Sequence, residues 1–146
     1  MKIALGADHA GYVLKESIKE FLNSKKIEYK DYGTFKIDSC DYPEYAYKVG
    51  QAILNQEADL GILICGTGIG MSITANKIKG IRAANVYDLK TAKLSRLHND
   101  ANVLCLGGRI MDEKKALPIV EIWLNTSFEG DRHQNRLNLI SQLTGL

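Results

Sequence analysis

The sequence predicts an α/β fold, a three-layer sandwich around a five-stranded, mainly parallel, Rossmann-like sheet. Three observations carry that reading. Short apolar runs alternate with amphipathic segments of helical period from one end of the chain to the other. No linker, repeat or low-complexity tract interrupts them. The most glycine-rich turn joins an apolar run directly to a helical pattern. With 146 residues, 45% of them apolar, the chain falls within the size of one domain and can bury a substantial core.

Lys2 to Gly6 reads as the first strand and Tyr12 to Ser24 as a helix with Leu14, Ile18, Phe21 and Leu22 on one face. Ile27 to Tyr32 reads as the second strand, followed by a loop through Asp41. Pro43 suits a first helical turn, so Glu44 to Gln56 is expected as a helix leading into the central strand Leu60 to Ile64. Beyond the turn Cys65 to Gly70, the stretch Met71 to Lys77 has helical spacing. Arg82 to Val86 forms a fourth strand, Leu89 to Leu97 a helix capped by Asp88, and Asn102 to Gly107 a fifth strand. Asp112 opens the next helix, with Pro118 in its second turn and a kink expected there. Over Asp131 to Leu143, the residues Leu137, Ile140 and Leu143 share one side, as in a helix packed on its own sheet or on a second subunit.

Composition excludes several functions. The 19 basic and 17 acidic side chains leave a formal charge of +2, with no basic run dense enough for nucleic acid and no basic amphipathic stretch for a membrane surface. No apolar run approaches the roughly 20 residues of a membrane-spanning helix. The amino terminus runs straight into a strand pattern rather than a signal peptide, and Cys40, Cys65 and Cys105 lack metal-ligand spacing. A cytoplasmic protein with reduced thiols is expected. A small anionic ligand stays open.

The chemistry concentrates in Cys65-Gly66-Thr67-Gly68-Ile69-Gly70. Three glycines in five positions leave backbone amides unshielded, and a turn that opens a helix aims them at one small volume suited to an anion. The same field favours the thiolate of Cys65, the form that acts as base or nucleophile. A buried strand-end cysteine is the plainer alternative. In an open parallel sheet, ligands sit outside the carboxyl ends of the strands, so this turn shares a rim with Asp8-His9-Ala10-Gly11 and Gly107-Gly108-Arg109. Asp8 serves equally well as a helix cap. Arg132 and Arg136, one helical turn apart, can grip a phosphate or simply face solvent in ion pairs with Glu129 or Asp131.

His98-Asn99 follows a helix that returns the chain to the amino-terminal edge of the sheet, opposite Cys65 in the same subunit. His98 is therefore structural, or it reaches the cysteine of a neighbouring molecule. A dinucleotide fold would place Gly-x-Gly-x-x-Gly after the first strand, whereas here Gly-x-Gly-x-Gly follows the third. A cysteine phosphatase loop would need arginine where this chain has Met71.

Together, Gly6 to Gly11, Asp41-Tyr42-Pro43, Cys65 to Gly70 with Ala75-Asn76-Lys77, His98-Asn99, Gly107-Gly108-Arg109 and the Arg132/Arg136 tail stand in one family's order and spacing. Over nearly its whole length the chain resembles the ribose-5-phosphate isomerase type B family, sugar-phosphate isomerases of the ribose/galactose/allose kind. The resemblance implies interconversion of D-ribose 5-phosphate and D-ribulose 5-phosphate through a cis-enediolate, with no metal and no cofactor. It implies Cys65 as the base between C2 and C1, amides of Gly66, Gly68, Ile69 and Gly70 on the enediolate oxygen, and Thr67 shuttling protons between O1 and O2. His98 of the other subunit would open the furanose ring, with Asp8 and Asn99 on sugar hydroxyls. His9, Arg132, Arg136 and Arg109 would bind phosphate, and Tyr42 would line the pocket. A homodimer with a shared site is implied, and pairing of dimers into tetramers stays open. Another branch of the family carries a glutamate base at position 71, and Met71 cannot accept a proton. Alternatives are isomerisation of allose 6-phosphate or galactose 6-phosphate, and a phosphosugar-binding module without turnover.

Overall fold

The computed structural model describes residues 1–146. The strands are β1 (Lys2–Ala7), β2 (Glu28–Asp31), β3 (Leu60–Cys65), β4 (Ala83–Asn85) and β5 (Val103–Gly107). The helices are α1 (Tyr12–Ser24), α2 (Tyr42–Leu54), α3 (Ile69–Ala75), α4 (Leu89–Asn99), α5 (Glu113–Leu124) and α6 (Asp131–Thr144). The strands form one sheet in the order β2-β1-β3-β5-β4, every pairing parallel. No helix is long and apolar enough to cross a membrane.

The apolar strands bury both faces. On one face, Leu14, Ile18 and Leu22 of α1, Ala92 of α4, and Ile119, Val120 and Trp123 of α5 pack on Ile3, Leu5, Ile62, Ile64, Leu104 and Leu106. On the other, Ala46, Val49 and Ala52 of α2 and Met71 and Ala75 of α3 pack on Ala4, Leu63, Val103 and Cys105. Each large apolar side chain so buried contributes about 1.5–3 kcal/mol. Lys15 is wholly buried, and its ammonium pairs with Asp31 and Glu16 between the Tyr12 and Phe35 rings. That cluster ties α1 to the end of β2, from which the chain runs on to Tyr42.

Asp88 and Asp112 cap α4 and α5 as expected, accepting from the Thr91 and Lys115 amides at 2.8 and 3.0 Å. Helix α5 runs through Pro118 without interruption. Three expectations need correction. α2 begins at Tyr42 rather than Glu44, because Asp41 is extended and Pro43 already lies in the first turn. α3 begins inside the glycine turn at Ile69 and ends at Ala75 rather than running from Met71 to Lys77, because Gly68 at φ +82° supplies a left-handed bend that starts it early. α4 continues to Asn99 and so includes His98. On α6, Leu137 is buried, but Ile140 and Leu143 are 50% and 77% exposed. Its apolar side is not packed on the sheet.

Candidate active site

The strand order reverses between β1 and β3, and the crevice at that switch point is where an open parallel sheet admits a ligand. Backbone bonds lock three loops together there. The Asp8 amide donates to the Ile64 carbonyl at 3.2 Å, and the Gly108 and Arg109 amides donate to the Cys65 and Gly66 carbonyls at 2.8 and 3.0 Å. The loops after β1, β3 and β5 thus form the one rim the sequence predicts.

Cys65 ends β3 on the buried α2/α3 face, 4% exposed. The Gly68 amide donates to its Sγ at 3.1 Å, and the Ile69 amide donates to Thr67 Oγ1 at 3.2 Å. A bare amide on sulfur stabilises negative charge there. Since α3 has seven residues, the loop amides rather than a long helix dipole supply the local positive field. The neighbouring thiol differs. Burial, and secondarily Cys65 itself, push the Cys105 thiol far above its ordinary range.

Gly68 has no room for a side chain. A Cβ would collide with the Asn85 side-chain amide and approach the Leu106 backbone at 3.0 Å, on top of the positive φ. Gly68→Ala is expected to cost about 1–3 kcal/mol of stability and to pull the amide off Sγ. Thermal unfolding checks the first effect and turnover the second.

The remaining carboxyl-edge residues surround this turn. Tyr42 lies against Gly70, where an added Cβ would be 2.6 Å from Tyr42 Cζ. Arg109 crosses over Gly66, its Cδ 3.4 Å from a Cβ built there. Asp8 accepts from the Ala10 and Gly11 amides at 2.9 and 3.1 Å through Oδ1 alone. It shapes the turn into α1, although Gly11 is the residue at the helix cap. His9 Nδ1 accepts from the Cys40 amide at 3.2 Å, which orders the ring beside the rim.

His98, Asn99, Arg132 and Arg136 gather at the opposite, amino-terminal edge. Arg82, just before β4, donates to the Asn99 carbonyl at 3.2 Å, and the Glu129 amide donates to the Leu97 carbonyl at 3.0 Å. His98 stacks on His133 with centroids 4.2 Å apart and planes 12° apart. Arg132 Nε and Arg136 lie 3.4 and 3.3 Å from the two His133 ring nitrogens. Burial, then His98 and Arg132, push the His133 imidazole below its ordinary pKa, and Glu129 opposes them. The Glu129 carboxylate pairs with the two imidazoles, not with either arginine. Polar atoms of His98, Glu129 and His133 lie within 4.8 Å of one another, but near-parallel rings aim their lone pairs alongside each other rather than at a common point.

Sequence reasoning missed His133, Asn85 and Tyr87, and read Glu129 only as an ion-pair partner of the two arginines. Asn85 accepts from the Tyr87 hydroxyl at 2.8 Å and from the Ile69 amide at 3.3 Å and donates to the Cys105 carbonyl at 3.1 Å, and the Tyr87 oxygen lies 3.2 Å from the Thr67 carbonyl, so the pair braces the glycine turn from β4. A polar Asn at the carboxyl end of an apolar strand was the available signal. For His133, the signal was its place between two arginines. A cavity of about 590 Å³ lies not at Cys65 but beside the amino-terminal edge, lined by Arg82, Asn99, Leu137, Ile140 and Ser141.

A thiol and a turn of bare amides at the switch point of a parallel sheet are the arrangement with which a small α/β protein can take an anionic ligand. The chain belongs to the Ribose/Galactose Isomerase family, whose model matches residues 3–140. It is 46% identical over 142 residues to ribose-5-phosphate isomerase B of Escherichia coli, covering 97% of this chain and 95% of that one. Among solved structures, ribose-5-phosphate isomerase B of Clostridium thermocellum is 47% identical with a TM-score of 0.98, covering 99% of this chain and 98% of that one. The Mycoplasma genitalium enzyme, solved with bound ribulose 5-phosphate, is 42% identical with a TM-score of 0.93 over 99% and 96% of the two chains.

Proposed function

We propose that the protein interconverts D-ribose 5-phosphate and D-ribulose 5-phosphate through a cis-enediolate, at sites shared by two copies of the chain. The observation that carries this reading is Cys65 at the end of β3 with the Gly68 amide 3.1 Å from its sulfur. Cys65 moves the proton between C2 and C1. Removing a proton next to a carbonyl is unfavourable unless the growing oxyanion is met as it forms, and one preorganised donor there is worth about 3–4 kcal/mol. The amides of Gly66 to Gly70 have that task, with the exposed Thr67 hydroxyl passing protons between O1 and O2. Tyr42, Asp8 and His9 line the sugar side, and Arg109 closes over Gly66.

His98 opens the ring from the partner, with Asn99 on a sugar hydroxyl and Arg132 and Arg136 on the phosphate. Support comes from their position at the far edge of their own sheet, together with the exposed apolar side of α6 and the open groove beside it. Each chain carries two half-sites facing away from each other, and pairing with a second copy joins unlike halves. Gripping the phosphate fixes the open-chain sugar with C2 at the thiol, so distal binding energy becomes orientation. Three free cysteines, one of them the base, suit a reducing, cytoplasmic setting.

The test is proton NMR in heavy water with a chelator present, offering ribose 5-phosphate and allose 6-phosphate separately. Ketose formation and C2 deuteration of the ribose ester alone is the expected result. Turnover of only the allose ester would move the substrate to six carbons, and exchange with neither would leave a binding module.

A further inference from the structure

We propose that Glu129 and His133 are positioning residues for His98, forming with it a stack that holds one proton and presents it for opening of the sugar ring. The inference rests on the isomerase reading above.

The geometry is a stack with one counter-ion. The two rings lie face to face at 4.2 Å, a distance at which two imidazolium cations repel strongly, so the pair holds one proton at a time. Three charged groups face it. Arg132 and Arg136 of α6 sit on both nitrogens of His133, which turn any added proton away from that ring. Glu129, from the α5–α6 loop, sets one carboxylate oxygen 3.4 Å from His133 Nε2 and 3.8 Å from His98 Nε2. That loop is pinned on α4 by the Glu129 amide on the Leu97 carbonyl, so the carboxylate is held at the end of the helix that carries His98. His133 is buried, while His98 is partly exposed and able to reach a ligand. The proton is thereby directed to His98, with Glu129 as its counter-charge.

Ring opening breaks C1–O4. The imidazolium gives its proton to O4, and the O1 hydroxyl proton passes to the imidazole as the C1 carbonyl forms, so the stack ends as it began. Ribulose 5-phosphate needs no such step, because its O5 is esterified and cannot close a five-membered ring on C2. The ketose side of the reaction is therefore an internal control.

Glu129→Gln keeps the shape and removes the charge of a half-exposed side chain. The expected result is a roughly tenfold fall in kcat on ribose 5-phosphate with KM unchanged, since the arginines are untouched. The alkaline limb of the pH–rate profile should move to lower pH, because the cationic imidazole has lost its counter-charge. Solvent deuterium exchange at C1 of ribulose 5-phosphate should stay within about twofold of wild type, and Glu129→Asp should recover most of the lost rate. Equal loss in ribose 5-phosphate turnover and in C1 exchange, with an unmoved pH profile, would overturn the assignment in favour of a structural role, and wild-type behaviour would overturn it outright. If the wild-type protein itself turns over neither sugar, the isomerase reading fails and takes this inference with it.

Discussion

Replacing Cys65 with alanine is expected to abolish isomerisation while leaving binding of a phosphate ligand largely intact. A placed general base is worth about 10²–10⁴ in rate, and no neighbour can stand in for this one. Met71, where another branch of the family has its glutamate, cannot accept a proton. Cys105 is close enough to feel Cys65, but burial keeps its thiol protonated at neutral pH. Thr67 is exposed at the turn, yet its hydroxyl is far too weak an acid to serve as the base. The loss should therefore appear in C2 deuteration as well as in net ketose formation. Calorimetric titration with a sugar phosphate separates chemistry from binding, because the proposed phosphate groups do not touch sulfur. A Cys65→Ala protein that still exchanges C2 at more than a trace rate sinks the thiolate mechanism.

The parallel sheet and the rim at its carboxyl edge were legible because they follow from local patterns. Apolar runs such as Leu60 to Ile64 can only be strands buried on both faces, and Asp88 and Asp112 announce helix starts by residue type. The start of α3 was not legible. It depends on Gly68 taking a positive φ, which glycine permits but does not dictate. The histidine stack was hidden for another reason. Its members are separated along the chain by an entire strand and helix, and periodicity carries no information on which helix ends meet. The Arg132/Arg136 pair was legible as a possible anion grip. That its nearest ring partner is His133 rather than an acidic neighbour follows only from how α6 crosses the end of α4. The exposed Ile140 and Leu143 are the reverse case, since the sequence left two destinations open and the fold removes one.

With that destination removed, the arrangement of the half-sites makes a quantitative prediction. Cys65→Ala and His98→Ala proteins should each be inactive on ribose 5-phosphate, the first for want of the base and the second for want of ring opening. Mixed and allowed to exchange subunits, they should regain activity. In a mixed dimer, one site draws its thiol from the His98→Ala chain and its imidazole from the Cys65→Ala chain, and so is complete. The other site lacks both. With random exchange of equal amounts, half of the dimers are mixed and each has one working site of two, so about a quarter of wild-type activity should return. A same-chain site predicts no recovery, because every chain in the mixture lacks one of its own groups. Subunit exchange can be followed independently by native mass spectrometry of a tagged chain. No activity after demonstrated exchange would refute the shared site, and His98 would then be a structural residue of the α4–α6 contact. Recovery would require that the two edges of the sheet, which face away from each other in one chain, meet across the pair.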